Sequence, residues 1–199
     1  PFQQSTKNIF LLFDQNVFIL IGFLNSNSYI CKETEEEQMK ETPDLADYRF
    51  MQMAIDLSEE NVQNGGGPFG AVIVKDGEVV ATGTNRVTCN NDPTAHAEIS
   101  AIRAACQQLQ CFKLHGCTIY TSCEPCPMCL SAIYWAGIDR IFYGNTKQDA
   151  EAIQFGDKFI YDEIALTPEQ RSIPARMIMR EQALRAFRLW EEKTDKIEY

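Results

Sequence analysis

The sequence predicts a single layered α/β domain. Strand-like and helix-like segments alternate along most of the chain, and 199 residues with 45% hydrophobic side chains suffice for one sizeable core. The residues with metal-binding chemistry fall where a strand gives way to a helix, a common place for a site in such domains.

The elements follow in order. Residues 45–62 form an amphipathic helix with Phe50, Met53, Ala54 and Leu57 on one stripe, stopped by Asn64-Gly65-Gly66-Gly67-Pro68. Residues 69–74 make a buried strand, Asp76-Gly77 a hairpin turn and residues 79–82 its partner. Asp92-Pro93-Thr94 opens a second helix in which Ile99, Ile102, Cys106 and Leu109 recur at helical spacing. Residues 117–120 form a third strand. A helix started by Pro127 carries Leu130, Ile133 and Tyr134, and residues 140–143 form a fourth strand. Beyond Tyr143 we expect a short helix at 149–155, a strand at 173–179 and an amphipathic helix at 181–190.

The formal net charge is −10, which argues against extended phosphate backbones as partners. The first 38 residues read as a leader or extension outside the domain, with Met39 as the start of the native protein and 39–199 as one domain. Without them the charge is −7, so the acidic balance stands. The apolar runs 9–13 and 17–24 are each shorter than the ~20 residues a bilayer span needs, so no membrane association is expected. Eight cysteines show no disulfide framework. We read Cys31, Cys89, Cys106, Cys111 and Cys117 as buried or idle thiols in a reducing, cytoplasmic setting. His115 reads as an ordinary loop histidine.

Two runs carry the chemistry: His96-Ala97-Glu98, and Pro125-Cys126-Pro127-Met128-Cys129. One imidazole and two thiolates hold Zn²⁺ while leaving a fourth position open for water. Glu98, two residues from His96, is placed to take and return that water's protons. This H-x-E…P-C-x-x-C pattern is the signature of zinc-dependent nucleobase deaminases. The competing reading is a closed structural site, because Cys123 precedes Cys126 by three residues and would supply a third thiolate. A closed site has no use for the adjacent carboxylate.

The runs Asn91-Asp92-Pro93-Thr94-Ala95-His96-Ala97-Glu98 and Thr121-Ser122-Cys123-Glu124-Pro125-Cys126-Pro127-Met128-Cys129 resemble the cytidine deaminase-like superfamily. Within it the chain is similar to the small bacterial guanine deaminases over residues 44–199, through Gly67-Pro68-Phe69-Gly70-Ala71, Ala132-Ile133-Tyr134-Trp135, Gly156-Asp157 and the terminal Glu198-Tyr199. The resemblance implies a three-layer α/β/α fold around a mixed five-stranded sheet, with residues 173–179 as the fifth strand. It implies one Zn²⁺ on His96, Cys126 and Cys129, and hydrolysis of guanine to xanthine and ammonia by zinc-bound hydroxide attacking C2, with Glu98 as proton shuttle. A guanine edge presents N1–H and a 2-amino group, which call for a carboxylate such as Asp157, a substrate contact that also helps protonate the departing amine. Asn85 suits a ring nitrogen or carbonyl, and Phe69 and Trp135 offer flat surfaces for a base. The resemblance also implies a homodimer with exchanged C-terminal segments, in which residues 180–199 form a helix and lid and Tyr199 closes over the purine. Three other readings stay open on sequence: a tRNA adenosine deaminase, a guanosine or pterin deaminase, and a zinc-stabilised module without activity.

Overall fold

The computed structural model describes residues 42–198. The chain divides into a unit spanning Pro1–Thr42, which apart from Thr42 lies outside the described residues, and a unit spanning Pro43–Tyr199. The leader reading of residues 1–38, Cys31 and Tyr199 therefore fall outside what is described.

The second unit opens with α1 (Leu45–Gln63). Asp44 caps it by accepting from the Ala46 and Asp47 N–H groups, and Asp47 accepts from the Asp44 N–H in return. Strands β1 (Gly70–Lys75) and β2 (Glu78–Thr84) form an antiparallel hairpin. Its turn uses Asp76 and Gly77, both at positive φ, as two-residue hairpin turns require. A one-turn helix α2 (Val87–Asn90) precedes α3 (Ala97–Leu109). Then come β3 (Cys117–Cys123), α4 (Pro127–Ala136) and β4 (Arg140–Asn145). Helices α5 (Lys147–Ala152), α6 (Lys158–Ala165) and α7 (Arg180–Glu192) complete the described chain.

The sheet order is β2-β1-β3-β4, with β3 and β4 parallel and the other pairs antiparallel. Side chains alternate across it as a strand's period of two demands. Ala71, Ile73, Cys117 and Ile119 face α3 and α4, packing with Ala97, Ala101, Ala105 and Ile133. Val72, Val74 and Tyr120 face α1, packing with Phe50 and Ala54. The three layers are thus α1, the sheet, and α3 with α4. On the α1 side the Tyr120 hydroxyl donates to Asp47, so the capping-box partner of Asp44 also ties α1 to the central strand.

Several sequence expectations need correction. Among the described residues the sheet has four strands rather than five. Residues 173–179 are irregular, and Ile173, Met177, Ile178 and Met179 are exposed. Apolar and β-branched composition makes a strand only where a sheet edge accepts it, and Pro174 withholds one ladder donor. Helix α3 begins at Ala97, later than expected, because Asp92 turns the chain locally by accepting from the Thr94 N–H and hydroxyl. Helices α2 and α6 were not anticipated. The stripe of α1 extends past its apolar residues to buried Ser58 and Asn61.

Helix α3 comes unusually close to the sheet at Gly83. A Cβ there would lie 2.2 Å from the Ala97 carbonyl oxygen and 2.5 Å from the Ala101 nitrogen, both fixed backbone atoms. Gly83→Ala should force the first turn of α3 away from β2, at a cost of about 1–3 kcal/mol or more. Thermal unfolding should show a lowered Tm. Since that turn bears His96 and Glu98, metal retention during dialysis should fall as well.

Candidate metal centre and substrate cavity

Two helix starts converge above the sheet. His96 is the N-cap of α3 and Cys126 the N-cap of α4, both in extended backbone conformation, while Cys129 stands three residues into α4. Pro127 occupies the first turn of α4, where a missing N–H costs nothing. The positive ends of both helices favour thiolate over thiol at this spot.

His96 Nδ1 lies 3.6 Å from Cys126 Sγ and 3.5 Å from Cys129 Sγ. A tetrahedral zinc with ordinary Zn–S and Zn–N bonds sets such edges at about 3.6 Å. His96, Cys126 and Cys129 are the group of ligand atoms, among the described residues, close enough to hold a metal ion. Zinc therefore fits these donors by distance and by type. The hydrogen bond donated by Cys129, together with His96, brings the Cys126 thiol down to about 4, the form that binds metal. The hydrogen bond with Cys126 raises His96.

Cys123, the other candidate ligand, is not part of this group. It is buried at the end of β3, its thiol points to the Thr146 carbonyl at 3.7 Å, and burial pushes it up to about 11. A thiol held protonated and turned to a carbonyl is a poor third thiolate.

Glu98 is only 6% exposed. Its Oε2 accepts from the Cys129 thiol at 3.4 Å, which sets it against the ligand group. Burial raises its carboxyl above the usual range, so this acid takes up a proton more readily than a solvated one.

A cavity of about 600 Å³ opens beside the metal group, within the range of small-molecule sites. His96, Glu98, Cys126, Asn85, Phe69 and Asp157 all line it, so the structure brings these sequence candidates together. Asn85 is buried, and its Oδ1 accepts from the Val87 N–H at 3.3 Å, which leaves the amide NH₂ to address a ligand. Asp157 immediately precedes α6, and burial first, then the charges of Cys126 and Glu124, raise its carboxyl. Trp135 is not brought in. It stands on the outer side of α4, 65% exposed, because six residues along a helix from Cys129 turn it away from the ligand side.

Among the lining residues that the sequence reading did not single out, Phe155, Glu124 and Lys147 make specific side-chain contacts. Phe155 packs edge-on against Phe69, ring centroids 5.1 Å apart and planes at 84°. Glu124 pairs with Lys147 at 3.6 Å and accepts from the Lys147 N–H at 3.2 Å. The aromatic before Gly156-Asp157 was a usable signal for Phe155. Nothing local pairs Glu124 with Lys147, since parallel pairing of β3 and β4 brings them together. His115 is exposed, 4.0 Å from the Asp139 carboxylate, and takes no part. The described cysteines are free; Cys117 is buried, whereas Cys89 and Cys111 are exposed.

The position of Cys123 generates a direct test. Cys123→Ser should keep one zinc per chain by atomic emission, while Cys126→Ser and Cys129→Ser should lose metal and, with it, stability. Metal loss in Cys123→Ser would restore it as a ligand.

Residues 45–145 match the model of the cytidine and deoxycytidylate deaminase zinc-binding region. Guanine deaminase of Bacillus subtilis is 50% identical over 151 residues, covering 75% of this chain and 97% of that protein. Its X-ray structure superposes with a TM-score of 0.75 at 50% identity, over 76% of this chain and 98% of the other. A guanine deaminase structure from Nitrosomonas europaea gives a TM-score of 0.54 at 31% identity, over 68% and 80% of the two chains. A tRNA-specific adenosine deaminase of Agrobacterium fabrum is 41% identical over 110 residues, covering 55% of this chain and 72% of that protein. The metal group and the acid beside it thus have a family to match their geometry: this chain belongs to the zinc-binding cytidine and deoxycytidylate deaminases, as a homologue of guanine deaminase.

Proposed function

We propose that the protein hydrolyses guanine to xanthine and ammonia. The observation that carries this reading is the composition of one cavity: a His-Cys-Cys metal group, a buried glutamate against it, and in the same lining an amide and a second carboxylate fit to read a purine edge. Zinc, when bound, lowers the pKa of a coordinated water towards ~7 and so supplies hydroxide at neutral pH. Glu98 accepts the proton from the attacking water and passes it to N3, then takes the proton of the hydroxyl added at C2 as the carbonyl forms there and delivers it to the amine, which leaves as ammonia. Asp157 accepts from N1–H and the 2-amino group, holding the base in register and aiding departure of the amine. Asn85 addresses the ring's acceptors, and Phe69, braced by Phe155, covers one face of the base.

The cavity suits a free base better than an anticodon loop. Its lining offers the Glu124, Asp157 and Glu98 carboxyls against the one ammonium of Lys147, and the whole chain is acidic, a poor match for a polyphosphate strand. The zinc-loaded full chain should release xanthine and ammonia from guanine and form no inosine in tRNA. The opposite pattern would move the chain to the adenosine branch.

Asp157→Asn should keep zinc and fold while lowering kcat/KM for guanine by about tenfold to a hundredfold, as expected when a buried polar contact is left mispaired. The ionised form is the acceptor. Because burial raises Asp157, that form is lost at a higher pH than for an exposed aspartate. Acidification should therefore raise KM in the native protein earlier than an ordinary carboxylate would, and Asp157→Asn should flatten this dependence.

We further propose a homodimer with exchanged C-terminal segments, in which Tyr199 closes over a substrate. Helix α7 supports it: Leu184, Phe187 and Trp190 recur at helical spacing, and Phe187 and Trp190 are 70% and 41% exposed. An apolar helix face without cover is stabilised by a second copy, and exchange of an identical element is a low-cost route to it. The open cavity needs a lid to exclude water. No described helix is long and apolar enough to cross a membrane, and free cysteines among the described residues suit the cytoplasm. Deleting residues 197–199 should raise KM and lower kcat without unfolding the domain. Normal turnover in the truncated chain would discard the lid, and a monomer by light scattering would discard the exchange.

A further inference from the structure

Asn61 lies at the end of α1, only 4% exposed, outside the lining of the cavity. Its Nδ2 donates to the Gly67 carbonyl and to the Asn85 carbonyl, both at 2.8 Å. Two segments 18 residues apart in sequence are thereby clamped by one amide group. Both of its N–H bonds are spent on these two carbonyls, and the Gly67 carbonyl accepts from the Phe69 N–H at 2.8 Å as well. The clamp holds the contact that matters for ligand reading: a Cβ at Gly67 would lie 3.1 Å from Asn85 Cγ, so the loop backbone rests against the Asn85 side-chain amide. The loop also returns to its anchor, since the Gly66 N–H donates to the Asn61 carbonyl at 2.8 Å.

Gly66 shows how closely the pieces fit. A Cβ there would fall 2.3 Å from Asn61 Nδ2 and 2.6 Å from Oδ1. Residue 66 can lie on the Asn61 amide only as glycine. Asparagine is likewise the type the place demands: serine has one donor, aspartate when ionised has none, and glutamine is longer by a methylene.

We infer that Asn61 is the positioning residue that fixes the Asn85 amide and the Gly65–Gly66–Gly67 wall of the cavity against the purine edge. The inference rests on the guanine reading above. Asn61 touches neither the metal group nor the base. Its effect is on binding, with Asn85 as the group through which it acts.

The test is steady-state kinetics with guanine on the zinc-loaded full chain, comparing Asn61→Ala, Asn85→Ala and the double variant. Asn61→Ala should keep zinc and raise KM about tenfold, with kcat changed by less than about threefold, the pattern of lost uniform binding. The double variant should have a KM close to that of Asn85→Ala alone, because both changes remove one contact. Gly66→Ala, which dislodges the Asn61 amide and leaves both donors in the chain, should give the same KM effect and carries the test if Asn61→Ala does not fold. Additive effects on KM, or a lowered Tm with unchanged kinetics, overturn the positioning role. An unaltered protein that leaves guanine untouched overturns the guanine reading, and this inference with it.

Discussion

The geometry around His96 Nδ1 is the constraint on which the rest depends. Two sulfurs must stand 3.5–3.6 Å from one imidazole nitrogen, and the three groups come from two helices joined by an intervening strand. Two N-caps meet this requirement because the cap residue of a helix is fixed in direction by the first turn that follows it. Helix α3 is seated on β2 at Gly83, and α4 is bounded by parallel strands β3 and β4. The sheet sets where both helices begin, so an error of one ångström in either seat would appear undiminished at the metal. Residues far from the chemistry, such as Gly83, are therefore as restricted as the ligands.

Burial then assigns the roles of groups with similar chemistry. Three cysteines stand at intervals of three residues, yet Cys126 is lowered by donors around it while Cys123 is raised by burial at the end of a strand. The strand directs the Cys123 thiol to the Thr146 carbonyl, and the helix directs the other two to His96. The acids divide in the same manner. Glu98 is enclosed, so it exchanges protons readily. Glu124 is tethered by Lys147, and Asp157 is only partly buried where α6 begins. One cavity thus holds three carboxyl groups in three different settings.

Most of the fold was legible because period-two and helical patterns were strong from Leu45 to Asn145. The metal ligands were legible because their spacing is local: His96 with Glu98, and Cys126 with Cys129. What escaped was non-local. Asn61 lies within the helix predicted over 45–62 but was not singled out, because its burial depends on a loop and on Asn85. The Glu124–Lys147 pair depends on β3 and β4 lying side by side. Residues 173–179 failed in the opposite direction, having strand-like composition without an edge to join. Trp135 was placed by resemblance, and the helical turn put it on the far side of α4. For Asn61, for Glu124 and for residues 173–179 the deciding partner lies many residues away, whereas for Trp135 it is the local turn of the helix.

The division between helix-borne and loop-borne groups bears on how such a site changes substrate. His96, Glu98, Cys126 and Cys129 begin helices seated on the sheet, so the hydrolytic half is as rigid as the core. Asn85, Phe69 and Asp157 lie on connections between elements, where a change of sequence alters one wall and leaves the sheet intact. Loops that select a base must still hold a planar ring to within a fraction of an ångström, which short connections do not do unaided. Asn61 answers that demand here: α1, itself anchored to the central strand by Asp47 and Tyr120, lends its rigidity to the loop that reads the base. The recognising wall can vary in sequence only as far as this anchoring amide continues to find its two carbonyls.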